Sequence, residues 1–387
     1  MKAGLWRKAL ALGLAAAVSL GLARFAYALL LPAMRSDLGW SYLSAGMMHT
    51  VNAAGYLIGA LLAPRLFARL DARAVMLAGG ALAAAAMAAH AGVRSDALFL
   101  LLRLVLGVAS AMSFVGGGLL AARLANQPGA QPGLVLGLYY GGTGIGIVAS
   151  ALAVPAWMPD ASRWPGAWLG LAALAALAAV LTTWGTRSLH APPKHAAERQ
   201  PWAWWPMRFA LAGYTMFGLG YIGYMTFIIS LLREQGLSAS MQTTFFTVLG
   251  LGVIASSWLW AGLLQRHRDG RPMALLNGLL AVATALPVLS AHEVAVFASG
   301  ALFGGVFLSV VASTTAIVRH NALQAQWPGG IAAFTIVFAA GQIVGPSLVG
   351  VVADAAGGLR AGLGACAALL AVGSALALQQ KALPPPA

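Results

Sequence analysis

Arg24 and Arg103 lie inside long apolar runs of a 387-residue chain, and none of its nine acidic residues shares their depth. A lone cation at the centre of a membrane helix costs about 2.5–3.5 kcal/mol on insertion scales, so it is kept where it faces a cavity, a partner or a ligand. With no carboxylate to neutralise it, Arg24 reads as a guanidinium placed to grip an anion, bidentately where geometry allows. The bland alternative is a structural arginine bonded to helix carbonyls or stacked on a tyrosine. Tyr27 follows Arg24 by one turn on the same helix face. Arg103 has two readings: it snorkels toward Asp96 or Asp37, or it is buried for coupling or packing.

Three further sets of residues could join this chemistry. His49, Asn52 and Tyr56 fall at i, i+3 and i+7, one polar stripe on an apolar segment. An imidazole titrates near neutrality, so His49 is a candidate proton relay, placed where water is expected to reach it; the alternative is an ordinary hydrogen-bonded histidine. Tyr214, Phe217, Tyr221 and Tyr224 recur at i, i+3, i+7 and i+10 and form an aromatic wall suited to an organic ligand, or simply a packing face. Tyr139, Tyr140, Thr143 and Gln342 are weaker candidates on two other runs.

The elements that position these residues follow from composition. The chain is 60% hydrophobic and 8% charged, with a mean hydropathy of +0.82, which fits an integral membrane protein and no soluble class. A spanning helix needs about 20 apolar residues. Runs near 9–33, 42–64, 74–92, 97–121, 134–156 and 165–184 meet that length. After a polar stretch from 185 to 206, six more follow near 207–232, 240–264, 273–291, 294–317, 330–352 and 359–379. An all-α fold of twelve transmembrane helices is expected, as a six-helix bundle (1–184), a connector (185–206) and a second bundle (207–387). Lys2, Arg7 and Lys8 resemble a signal-peptide n-region, but the apolar run continues to Pro32, so the first helix is read as uncleaved.

Of the 23 Lys and Arg residues, sixteen fall on one side of this arrangement, Arg65, Arg69, Arg73 and Arg266 among them. Five, namely Arg35, Arg94, Arg163, Arg233 and Arg360, fall on the other. The positive-inside rule then puts both termini and the connector in the cytoplasm, and accounts for the net charge of +14 without nucleic acid. Shifting the chain by 197 positions superposes Tyr27 on Tyr224, Asp37 on Glu234, Gly39 on Gly236, Ser41 on Ser238, Gly55 on Gly252 and Gly107 on Gly304. A constant offset between halves of one topology predicts parallel repeats about an axis along the membrane normal. Arg24 falls on Tyr221, so the repeat does not demand an arginine there.

With that repeat in place, the chain resembles the major facilitator superfamily over nearly its whole length. "GALLAPRLFARLDAR" (59–73) is similar to the family's cytoplasmic Gly-and-Arg signature, with Ala63 and Pro64 in place of its acid-base pair. "RLVLGVASA" (103–111) matches the buried-Arg motif, and "GLYYGGTGIG" (137–146) a Gly-rich one. The opening "GLARFAYALLLPAMRSDLGWS" (21–41) resembles the bacterial YbfB/YjiJ-like branch. The resemblance implies a multi-pass protein of the bacterial inner membrane working by alternating access, and it assigns Arg103 to coupling or packing.

The joint expectation is a secondary transporter of a small organic anion or zwitterion such as a carboxylate, amino acid or sugar acid. Substrate contacts are expected from Arg24, Tyr27, Asn52, Tyr139, Tyr221, Tyr224 and Gln342, with His49 and Arg103 in proton coupling or gating. The alternatives are efflux of drug-like compounds, which two buried cations disfavour when the cargo is cationic, and a non-transporting membrane sensor. Paired buried acids, a nucleophile with its base, metal-ligand clusters and phosphate loops are not visible, so no enzyme activity and no cofactor is expected. The partners are the ligand and the lipid bilayer, and the chain is expected to act as a monomer. The lone Cys366 reads as a packed thiol.

Overall fold

The computed structural model describes residues 3–190, 202–355 and 357–383. Half of the expected connector (191–201) and the charges Lys2, Lys194, Glu198 and Arg199 lie outside the described residues. The described chain is helical, with no strand. Helix α1 is continuous in three parts: Ala3–Ala16, a π-helical segment Ala17–Phe25, and Tyr27–Leu38. Then follow α2 (Tyr42–Phe67), α3 (Ala72–His90), α4 (Asp96–Ala125), α5 (Pro132–Trp157) and α6 (Trp164–Gly185). The second half contains α7 (Arg208–Glu234), α8 (Ala239–Leu259), α9 (Arg271–Leu289), α10 (Glu293–Asn321), α11 (Trp327–Ala355) and α12 (Gly358–Leu378). Eleven of these are long and apolar enough to cross a membrane; α2, at 26 residues, has the length but carries the polar stripe. Such a chain spans lipid only as helix, because each backbone N–H and C=O must find its partner internally.

The 197-residue offset reappears as repeated local geometry. Gly39 and Gly236 both take left-handed backbone after α1 and α7, with φ of 67° and 82°. Two residues on, Ser41 and Ser238 cap α2 and α8 by accepting from the N–H of Ser44 and Met241. Gly107 presses on the Asn52 carbonyl and Gly304 on the Leu249 carbonyl, which are repeat mates. The same small-residue crossing is thus built twice, as membrane helices require for close backbone approach. The expected run to residue 264 breaks at Trp260, whose indole donates to the Gly305 carbonyl at 2.7 Å, and a short helix, Ala261–Arg266, continues from there.

Loops gather at two faces. At one, Arg73 reaches Thr183 and Thr186, Arg268 reaches the His320 carbonyl, and Gly270 pairs with Gln380; this is the basic face. At the opposite, acidic face, Asp37 accepts from Arg94 and from the Trp164 indole (2.7 Å), and Asp96 accepts from Trp40 (2.8 Å). Arg103 does not snorkel to either acid: its guanidinium donates to the Met48 and Ala23 carbonyls.

Candidate functional site

The π-helical segment sets the site. Ser19 donates to the Ala15 carbonyl at 2.9 Å, and Ala26 N–H reaches back five residues to Gly21. The widened turns carry Arg24, and π-segments of this kind recur at functional sites. Gly21 presses this part of α1 onto α5, where a Cβ would stand 2.6 Å from Gly146 Cα. The wide turn is thereby clamped from behind.

Arg24 is buried and points from the first half of the chain toward the second. Its Nη2 donates to Gln342 Oε1 on α11 at 2.8 Å, and its Nε lies 3.5 Å from His49 Nε2 on α2. The Tyr56 ring lies 5.5 Å from its guanidinium carbon. Gln342 in turn donates to the Tyr221 hydroxyl on α7. Four expected residues, Arg24, His49, Gln342 and Tyr221, therefore form one chain of contacts between the halves. Every side chain in it except Arg24 is uncharged or, for His49, held with its Nε2 facing a cation, which fits a neutral imidazole protonated at Nδ1. Nδ1 has no partner among the described residues. His49 is enclosed, not reachable by water as its position in the run suggested, because α1 packs over it with Arg24 and Tyr27.

The other expected residues make contacts inside their own halves. Arg103 donates to the Met48 carbonyl (3.1 Å) and the Ala23 carbonyl (3.4 Å), with its guanidinium 4.5 Å from the Tyr27 ring centre. Tyr27 donates to the Ala45 carbonyl and Asn52 to the Arg103 carbonyl. Tyr139 bonds the Phe114 carbonyl. Tyr224 bonds Ser299, its ring stacked 4.0 Å from Phe303. The aromatic face of α7 thus divides: Tyr214, Phe217 and Tyr221 stack with Phe338 on α11, Tyr221 also with Phe307 on α10, whereas Tyr224 meets α10, through Ser299 and Phe303. Phe338 and Phe307, which join the first group, gave no signal in sequence, being apolar residues in apolar helices. Thr143 is buried with its hydroxyl unpartnered.

At the acidic face the halves meet directly. The backbone N–H groups of Tyr42 and Leu43, at the start of α2, donate to the two carboxylate oxygens of Asp354 at the end of α11, at 2.9 and 2.8 Å. The Tyr42 hydroxyl bonds Glu234, and the Arg35 guanidinium carbon sits 3.7 Å from the Tyr42 ring centre. Deeper along the same crossing, Thr50 donates to the Ile343 carbonyl at 2.7 Å. Among the described residues no three His, Cys, Asp or Glu side chains converge as metal ligands would.

A family model described as the uncharacterised MFS-type transporter YbfB matches residues 16–378. The chain belongs to this family. It is a major facilitator transporter, a multi-pass membrane protein and not an enzyme. No curated protein matches it in sequence. Its fold is similar to a bacterial homologue of the human lysosomal transporter Spinster, solved inward-facing and unoccupied. That likeness has a TM-score of 0.75 at 14% identity over 97% of this chain and 96% of the other. It is equally similar to a nucleoside transporter, NupG, with a TM-score of 0.75 at 16% identity over 96% and 98% of the two chains. At these identities the likeness concerns the fold.

Proposed function

We propose that this transporter moves a small organic anion or zwitterion, by rocking two six-helix halves (1–184 and 207–387) about a central site at Arg24. The observation that carries this reading is the Arg24 environment: a buried guanidinium at the junction of the halves whose polar partners, Gln342 and His49, bring no negative charge. Removing a charge from water is compensated only by an opposite charge or by full hydrogen bonding. Here the remaining compensation falls to a ligand anion, which would displace Gln342 or bridge Arg24 and Gln342.

Tyr221 and His49 complete the contact set. Tyr27, Asn52, Arg103, Tyr139 and Tyr224 support it from behind by fixing α1, α2, α4, α5 and α7. A ligand bound at Arg24 also changes the contact between halves, because the Arg24–Gln342 bond is one of the links between them; differential binding to two states is what drives alternating access. No carboxylate stands in the site to carry a proton. Coupling, where it operates, runs through His49 or through the ligand's own acid group. The basic face, with both termini and the connector, is assigned to the cytoplasm of a bacterial inner membrane, and the transporter acts as a monomer.

Counterflow in proteoliposomes with labelled carboxylates, amino acids and organic cations tests the reading. Exchange of anions or zwitterions is expected; exchange confined to cations would refute it.

A further inference from the structure

Five rings lie next to the Arg24–Gln342–Tyr221 chain with nearly parallel planes. Tyr221 stacks on Phe217 at 4.6 Å between centroids and 16° between planes, on Phe338 at 5.6 Å and 14°, and on Phe307 at 5.9 Å and 13°. Phe217 and Phe338 are 5.5 Å apart at 9°, and Tyr214 meets Phe338 at 4.9 Å and 19°. Elsewhere in the interior stacked pairs occur singly, Tyr224 on Phe303 and His90 on Trp168. Around Phe99, by contrast, the Trp40, His90 and Trp164 rings all stand edge-on at 61° to 85°, the arrangement that aromatic quadrupoles favour as readily as offset stacking.

Accessibility within the stack is confined to one place. Tyr214, Phe217, Tyr221 and Phe307 are buried, whereas Phe338, one helical turn before Gln342 on α11, is partly open. From the first half, the partly open Tyr56 lies against Arg24. The buried Arg24 guanidinium is therefore flanked by a partly open aromatic ring from each half, Tyr56 against it and Phe338 one turn from its partner Gln342.

We infer that the ligand of Arg24 is an aromatic carboxylate, its anionic group on Arg24 and Gln342 and its flat ring stacked on Phe338, the partly open ring of the set, on the side of Tyr56. The inference rests on the anion reading above and adds the ring to it. A flat conjugated ring continues the parallel stack with little gap, whereas a puckered saturated ring of equal size cannot lie flush on it. Stacking of this kind gives roughly a tenfold preference, and more where both faces of the ligand are covered.

The test compares matched acids on the purified full-length transporter in nanodiscs: benzoate against cyclohexanecarboxylate, and phenylacetate against cyclohexylacetate. Tighter binding of the aromatic member of each pair, by about tenfold or more, is expected. Phe338→Leu, which keeps an apolar side chain, should shrink that preference, weakening the aromatic member of each pair more than the saturated one. Arg24→Gln should weaken all four. Equal binding within pairs that still depends on Arg24 overturns the aromatic assignment and leaves the anion reading standing. Binding of none of the four by wild-type protein overturns the aromatic assignment, and the anion reading is then decided by the wider counterflow panel. The wild-type comparison needs no variant to fold.

Discussion

Arg24 on α1 donates to Gln342 on α11 across 318 residues of chain, at 2.8 Å, and this bond joins the two halves at their centre. It pairs a charge with an amide. A charge-assisted hydrogen bond of this type contributes about 1.5–3 kcal/mol, enough to help hold the halves together and small enough for an arriving anion to replace.

Gln342→Glu puts a permanent carboxylate at that position. The internal ion pair should raise the unfolding temperature of the ligand-free protein and weaken anion binding by roughly 10- to 100-fold, about 1.4–2.8 kcal/mol. Thermal unfolding and equilibrium binding on the same preparation check both effects. A variant that binds anions like the wild type would remove Gln342 from the site.

Arg103 should behave as a structural cation. Its bonds to the Met48 and Ala23 carbonyls and its seat on Tyr27 hold α4, α2 and α1 together. Arg103→Ala is expected to lower stability by about 3 kcal/mol, since it strips donors from buried carbonyls. Ligand affinity in the folded fraction should remain. A loss of affinity at unchanged stability would assign Arg103 to the site instead.

Asp354 closes the acidic face through the N-terminus of α2, where a carboxylate gains from both the free N–H groups and the helix dipole. Asp354→Asn keeps the shape and removes the charge. A loss of about 1 kcal/mol is expected, shifting the balance toward an open acidic face roughly fivefold. Spin labels at Ser36 and Ser240, read by pulsed dipolar spectroscopy, should show a larger long-distance population. An unchanged distance distribution would mean that the seal rests on packing alone.

The repeated crossing predicts matched costs. A Cβ on Gly107 or Gly304 would run into the Asn52 or Leu249 carbonyl, so each Gly→Ala change should destabilise by about 1–3 kcal/mol. Gly262 has nothing within 4 Å of its would-be Cβ. Gly262→Ala should be neutral or slightly stabilising, through helix propensity. Melting curves of the three variants compare them directly.

The positions of the twelve helices and the 197-residue repeat were readable because apolar run length and glycine spacing are one-dimensional signals. The site was readable only in part. Arg24, His49, Tyr221 and Gln342 stand out as polar groups in apolar helices, and they do meet. Tyr27 and Asn52 stood out equally, yet their polar atoms go to the Ala45 and Arg103 carbonyls, because sequence does not say which backbone carbonyl a neighbouring helix will present. Phe338 and Phe307 were invisible for the opposite reason: in helices apolar on every side, an aromatic residue that packs beside a polar cluster has the same spacing signal as one that faces lipid.

The central claim is that Arg24 binds the anionic group of the cargo. Measuring equilibrium binding of a transported anion to wild type and to Arg24→Gln, with thermal unfolding as the control for folding, tests it most directly. The account predicts a loss of about 100-fold or more in the variant, in keeping with removal of a buried charge-assisted contact, with the fold intact. Wild-type affinity in a folded Arg24→Gln protein would contradict it.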